Sequence, residues 1–460
     1  MKLNFEKIAF AKLEAWVVVL LVFLGLIGLT FFAWFLRVSL ENPNATFWSR
    51  VAVNLSHVPE QGMTLLREGV EFDAEGRLVQ RNVQIARFDD YAGLDRVDPD
   101  FKDDGTVLVS AYDDTHRIAI VYLLDPATGE RLWTWVPNHA QIVERTPNLR
   151  RRAEAGELLP YNNEKSLFLS MHPYLLDDGR LLLHAGSGVL AMLDRDGDVL
   201  WTSDKNYHHA IERDADGNFV IPTEVFDGKE RICTSGYAVV SPEGKVLEEV
   251  AVEDLLVRNG HGGLLYGLKT WNDMADAIHV NDVEPILESD AYVRRGDLVI
   301  SCRHLSTVFL YRPSEDRILW LQTGPWLNQH DPDYLGDGVF SIFNNNLIRD
   351  MPEEEATASN LMYYDMKTGE VTTADFPVFE TEGLYTETQG LHRHLDNGDV
   401  FVEMQNSFEL IRLSPEGIRW RYVHPLSTPG EIGHVHWSRY FQPGERDLSW
   451  IEEAKAPPAP

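Results

Sequence analysis

Cysteine is almost missing from this chain, and basic residues are scarce. Two cysteines, Cys233 and Cys302, stand far apart in 460 residues. That excludes a disulfide framework and a cysteine-built metal site, and leaves two buried thiols or one bridge between them. Lysine and arginine number 41 against 72 aspartates and glutamates, a formal net charge of −31. Nucleic acid is excluded as a partner on that balance, because phosphate contacts need basic surface. The acidity otherwise says only that the surface is strongly charged. Long apolar runs are absent with one exception, residues 15–36, AWVVVLLVFLGLIGLTFFAWFL. This run carries no charge and matches the roughly 20 residues that span a bilayer. Trp16 and Trp34 bracket it as interfacial aromatics do. No small-x-small cleavage site follows residue 36, so a retained transmembrane helix is expected rather than a removed signal peptide. Lys2, Lys7 and Lys12 precede the span and only Arg37 follows it closely. That bias places residues 1–14 in the cytoplasm and the bulk of the chain on the periplasmic or extracellular side.

What is present is a repeat. With 44% hydrophobic and 11% aromatic residues, the chain can build a large core. It is too long for one ordinary compact domain unless it closes on itself as a repeat architecture. Residues 37–95 read as a linker and an accessory hairpin, GVEFDAEGRLVQR. From about 96 a unit recurs: a polar head, an Asp/Gly turn, then an apolar run. It appears as DPDFKDDGTVLVSA, HPYLLDDGRLLLHA, HHAIERDADGNFVIPT, HVNDVEPILESDAYVRRGDLVISC, HDPDYLGDGVFSIF and LHRHLDNGDVFVEM. A second hairpin follows each, as in VYLLDPATGERLWTW and LAMLDRDGDVLWTS. Asp-Gly and Thr-Gly between apolar runs are hairpin chemistry, so each unit supplies about four short strands. Six such units predict an all-β, six-bladed β-propeller over 96–445, tethered by the helix, with 446–460 as a C-terminal tail whose end, EEAKAPPAP, reads as loose. Trp133, Trp135, Trp201, Trp320 and Trp420 fall on the strand after the second turn and are expected to pack between blades.

In a propeller the first strand of each blade lines a central channel. The sequence puts His172, His208 or His209, His279 with Asn281, His330, and His392 or His394 at or near the heads of those strands. A lone histidine there is ordinarily a satisfied polar residue; its repetition at equivalent positions predicts one polar site. No metal set is expected. Only HRH at 392–394 and HVH at 434–436 put two imidazoles on one strand face, with no carboxylate in a recognised spacing.

The ordered motifs YHHAIERDADGN, HVNDVEP, ISCRHLSTVFLYR and NQHDPDYLGDGVFSIFNN, over roughly 100–445, resemble the bacterial arylsulfate sulfotransferases. Those are six-bladed propellers that do not use the nucleotide sulfate donor. The resemblance implies transfer of a sulfuryl group from a phenolic sulfate ester to a phenol through a sulfohistidine, with no cofactor. It implies that His330 is the transiently sulfated residue. His279 and Asn281 would hold the sulfuryl oxygens, as would Arg303. One of His208 and His209 would add a contact; His209 stands as far from its turn glycine, Gly217, as His330 does from Gly338. His208, His172, His392 and His394 are the further substrate-binding candidates. The motifs leave His434 and His436 unexplained, and place Asp331 where it would orient His330 or raise its pKa. Two rivals stand beside this reading. One is a non-enzymatic, membrane-anchored propeller serving as a periplasmic scaffold, a subunit of a membrane complex or a homo-oligomer. The other is a quinone-dependent dehydrogenase, for which the calcium-binding carboxylate set is missing from the sequence.

Overall fold

The computed structural model of the chain describes residues 20, 22–32, 71–72, 78–79, 82–85, 93–154, 165–225, 234–267, 277–348 and 357–455. The chain divides into two compact units, 1–80 and 81–460. In the first unit, residues 22–32 are helical with their apolar side chains exposed. Glu71–Phe72 pairs with Leu78–Val79, the hairpin expected there. Among the described residues no helix is long and apolar enough to cross a membrane. Much of the expected span 15–36 lies outside them.

The second unit is built of antiparallel hairpins whose turns follow from aspartate and glycine. Asp194 Oδ1 accepts the backbone N–H groups of Asp196 (3.0 Å) and Asp198 (2.9 Å). Gly197 closes that turn at φ +88°. A Cβ there would stand 2.4 Å from the Val136 carbonyl oxygen, so only glycine fits. The Asp214 turn repeats the pattern with Asp216, Asn218 and Gly217.

The first sheet runs Arg439–Phe441, Thr106–Asp113, Ile118–Leu124, Arg131–Trp135 in spatial order, so a C-terminal strand completes an N-terminal sheet. Next comes an eight-stranded sheet whose halves meet at one paired position, Tyr207 with Thr223. Its first half begins at Met171–Leu175; its second holds Glu212–Arg213, Phe219–Val225, Thr234–Val240 and Val246–Ala251. Four-stranded sheets begin at Val280–Pro285 and His330–Gly336. The last begins at Leu391–His394 and carries Leu94–Asp95 beyond its fourth strand.

Burial explains the long apolar runs. The second and third strands of a sheet are covered on both faces: Leu298–Cys302 and Thr307–Arg312 are buried throughout. The fourth strand, Arg317–Thr323, is half-exposed. Apolar clusters join the sheets in order. Met192 shares one with Phe219, Tyr237 with Phe309, Leu310 with Phe340, and Phe343 with Val402. The largest joins Trp420 of the last sheet to Tyr122 of the first. The five repeat tryptophans lie on fourth strands, and Trp320 stacks on Tyr364 of the following sheet (4.2 Å).

Two details depart from the sequence reading. Val83–Ile85 pairs with Glu431–Gly433, and Leu94–Asp95 with the last sheet, so the end of segment 37–95 is woven into the second unit. The tail carries a helix, Ser449–Lys455, whose Trp450 is buried edge-on to Trp133 (5.2 Å); the rest of EEAKAPPAP, 456–460, lies outside the described residues. An indole and Ile451 gave that segment enough apolar surface to dock. Cys302 is buried, and Cys233 lies outside the described residues.

Candidate functional site

The first strands of the sheets share a device at their heads. Register breaks occur between Met171 and Tyr174, Val280 and Asp282, and His330 and Pro332. Beside these breaks, His172, His279 and Asp331 take left-handed φ values of 42°, 52° and 51°. His209 (60°) and Trp437 (56°) do the same ahead of their strands. Non-glycine residues adopt this region rarely and at a cost, and bulges re-aim side chains. Each head is thus turned out of the pleat.

His330 is buried, and its Nδ1 lies 2.7 Å from Asn345 Oδ1. Asn345 uses its amide nitrogen to donate to the carbonyls of Thr386 (2.9 Å) and Gln389 (2.6 Å). Its oxygen is therefore the end facing His330, and Nδ1 must carry the hydrogen. The lone pair is left on Nε2, which is buried and meets no hydrogen-bond partner among the described residues. Burial, and then the charge of Arg303, hold the His330 pKa well below its ordinary value. Asp331 does not raise it, because its carboxylate turns away: Oδ2 accepts the backbone N–H (2.5 Å) and the Nδ1–H (2.9 Å) of His392.

The other predicted residues gather around His330. Asn281 is fully buried and donates to the carbonyl of Gln329 (2.8 Å), the residue before His330; its Oδ1 is unpartnered among the described residues. Gln329 is itself pinned by Ser301 Oγ (2.9 Å). His209 Nε2 lies 3.2 Å from His279 Nε2, and its Nδ1 lies 2.9 Å from His208 Nδ1. The His209 and His330 rings are 6.0 Å apart. Burial, then the neighbouring imidazoles, push the His209 pKa well down. The Arg303 backbone N–H donates to the His279 carbonyl (2.9 Å), tying that side chain's base to the same place. Trp437, fully buried, sets its ring edge-on to both His330 (6.0 Å) and His172 (5.1 Å). Glu403 fixes it by accepting the N–H groups of Trp437 and Ser438, each at 2.6 Å.

The remaining candidates lie elsewhere. His172, His392 and His394 line a cavity of about 520 Å³ that draws Arg439, His172, Glu212, Asp282, Asp331 and His392 from the first strands of six successive sheets or half-sheets. His172 Nδ1 accepts the Ile211 N–H (2.8 Å). His394 shares Ser341 Oγ with His392, and burial lowers its pKa to about 3. His434, half-buried, stacks on Phe408 (4.2 Å) and sets its ring tilted against the buried His436 (4.6 Å). The carboxylates of the cavity answer to burial first and to each other second: Asp282 and Glu284 are held well above the carboxylate range, and Asp333 reaches about 7.

Asn345, Trp437, Glu403 and His184 carry parts of this arrangement that the motifs did not single out. Asn345 sits in the visible run Asn344–Asn346. Which of the three faces the histidine depends on strand register, and no spacing rule gives that.

Comparison with known proteins gives a family and a general likeness. A Bacteroides caccae protein of unknown function is 13% identical at TM-score 0.42, covering 69% of this chain and 93% of its own. A streptogramin B lyase is 10% identical at TM-score 0.38, covering 73% and 88%. A virginiamycin B lyase from Staphylococcus aureus is 12% identical at TM-score 0.32, covering 56% and 71%. No curated protein matches the chain. The model of the arylsulfotransferase (ASST) family, in contrast, matches residues 172–423, which include every candidate named above except Trp437, His434 and His436. More than half of the chain is covered, and the chain belongs to the arylsulfotransferase family.

Proposed function

We propose that the chain transfers a sulfuryl group from a phenolic sulfate ester to a phenolic acceptor through a sulfohistidine at His330, on a six-bladed β-propeller. The observation that carries this reading is the state of His330. Its Nδ1–H is held by Asn345, and its Nε2 lone pair is buried without a partner. A neutral imidazole is the form that attacks sulfur. In the first step Nε2 bonds to sulfur while the sulfur–oxygen bond of the ester breaks, and the phenolate leaves with the electron pair. In the second step the acceptor oxygen bonds to sulfur, the nitrogen–sulfur bond breaks and its electrons return to Nε2. The acceptor's proton passes to a neighbouring imidazole, with the His209–His279 pair at hand. Arg303 offers a planar donor fork to the sulfuryl oxygens, and Asn281, by donating to the Gln329 carbonyl, holds the peptide that precedes His330. A scaffold would have no need of a buried histidine with one lone pair left open.

The apolar run 15–36 serves in this reading as a membrane anchor, with the second unit on the periplasmic or extracellular side. The exposed apolar face of residues 22–32 supports it.

The test is mass spectrometry of the purified protein after exposure to a chromogenic aryl sulfate without acceptor. A sulfuryl adduct on His330, and loss of turnover in a folded His330→Ala, are expected. Full activity of His330→Ala would overturn the mechanism.

A further inference from the structure

We propose that the acidic cavity binds one hard divalent cation, held by oxygens of Asp331, Asp333 and Asp282, separately from the sulfuryl chemistry. Asp331, Asp333 and His392 bring ligand atoms within 4.8 Å of one another. Oxygens bound to one cation at about 2.1–2.5 Å fall within about 5 Å of each other, so the spacing of the Asp331 and Asp333 oxygens suits a shared ion. Asp282 supplies an independent sign. It is 3% exposed, lines the same cavity, and its Oδ1 meets no donor among the described residues. A buried carboxylate oxygen without a partner is costly and calls for a positive group.

The protein's own cations do not fill that need. Six carboxylates, Glu212, Asp282, Glu284, Asp331, Asp333 and Glu445, line the cavity. Of the lining arginines, Arg439 reaches Glu212 (3.3 Å) but spends its other bonds on the carbonyls of Pro173 and Ile211. Arg393 is drawn to the Tyr440 carbonyl and Glu445, and Arg446 to Tyr174. Arg213 donates to the Gly217 carbonyl.

His392 is a positioning residue here. Its Nδ1–H and backbone N–H both hold Asp331 Oδ2, leaving Oδ1 for the ion. This is outer support for a ligating carboxylate. The all-oxygen donor set suits Mg²⁺, Ca²⁺ or Mn²⁺ over softer metals. The ion would neutralise the centre where the sheet edges meet, and no step of sulfuryl transfer passes through it.

The probe is Mn²⁺, titrated into the chelator-stripped, detergent-solubilised full chain and read by electron paramagnetic resonance and by thermal melting. One Mn²⁺ per chain is expected, displaced by excess Ca²⁺, with a rise in melting temperature. Asp333→Asn should weaken binding at least tenfold, and Asp282→Asn with Asp333→Asn should abolish the Mn²⁺-dependent rise. Both variants remove repulsion, so both should melt no lower than wild type in chelator, which separates lost binding from lost folding. Absence of bound Mn²⁺ in the wild type, or undiminished binding in the double variant, would overturn the site. Neither outcome bears on the His330 adduct.

Discussion

Asn345 sets the tautomer of His330. Its amide is committed to two carbonyls, so its oxygen accepts from Nδ1 and leaves the lone pair on Nε2, the nucleophile of the proposed mechanism. Asn345→Leu frees the imidazole to take the other tautomer. Turnover should fall by about 10²-fold or more with KM little changed, as when a catalytic histidine loses its orienting partner. Asn345→Asp should keep the tautomer but supply a negative charge and raise the His330 pKa. In the wild type that pKa is depressed, so adduct formation should hold its rate as pH falls past 6.5. In Asn345→Asp the acid limb should move to higher pH; single-turnover adduct formation across pH checks both. Arg303→Lys should cost about 10²–10³ in turnover, since an ammonium lacks the planar fork. His330, His279 and His209 were legible in the sequence because they recur at strand heads. Asn345 was not, because its orientation is set by carbonyls about 40 residues further on.

The strand heads show how local geometry prepares the site. His184 illustrates it, inside the strand Leu181–His184. Its Nε2–H donates to the His209 carbonyl (2.8 Å), and its Nδ1 accepts the Gly186 N–H (3.0 Å). Both nitrogens are satisfied only in the neutral ring, and burial lowers the pKa to about 4 against that one backbone bond. A folded-state pKa below the unfolded 6.5 means the unfolded chain binds the proton more readily. Stability is therefore lost as pH falls from about 6.5 to 4, by on the order of 3 kcal/mol for this group. His184→Gln can keep one donor and one acceptor without titrating. It should lose less melting temperature than wild type between pH 7 and pH 4.5, as calorimetry would show. The alternating turns that define these strands were plain from Asp-Gly spacing. The bulges were not, because a left-handed histidine or aspartate leaves no compositional mark.

At the scale of the whole molecule, six repeats were readable and their closure was only partly so. HVHWSRYFQP, beyond the six repeats, supplies the strand Arg439–Phe441; that its tryptophan would be a wall of the histidine cluster was hidden, since one indole in a short C-terminal motif looks like any core residue. A chain ending at residue 430 removes Arg439–Phe441 and strips Glu403 of the N–H groups of Trp437 and Ser438. It should lose cooperative melting and become protease-sensitive throughout. Topology is open to the same reagent: protease added to intact spheroplasts should cut the second unit, and protection until lysis would reverse the orientation. The distance between the two partners in the first sheet also sets a timetable. Ser110 and Ser438 are 328 positions apart, so at about 5–20 residues per second the edge of Thr106–Asp113 waits roughly 16–66 s for its neighbour. For that interval a long apolar strand stands unpaired, the kind of edge that recruits other chains. The nascent chain thus carries one open strand edge until its last strand emerges, and shielding that edge during synthesis keeps other chains off it.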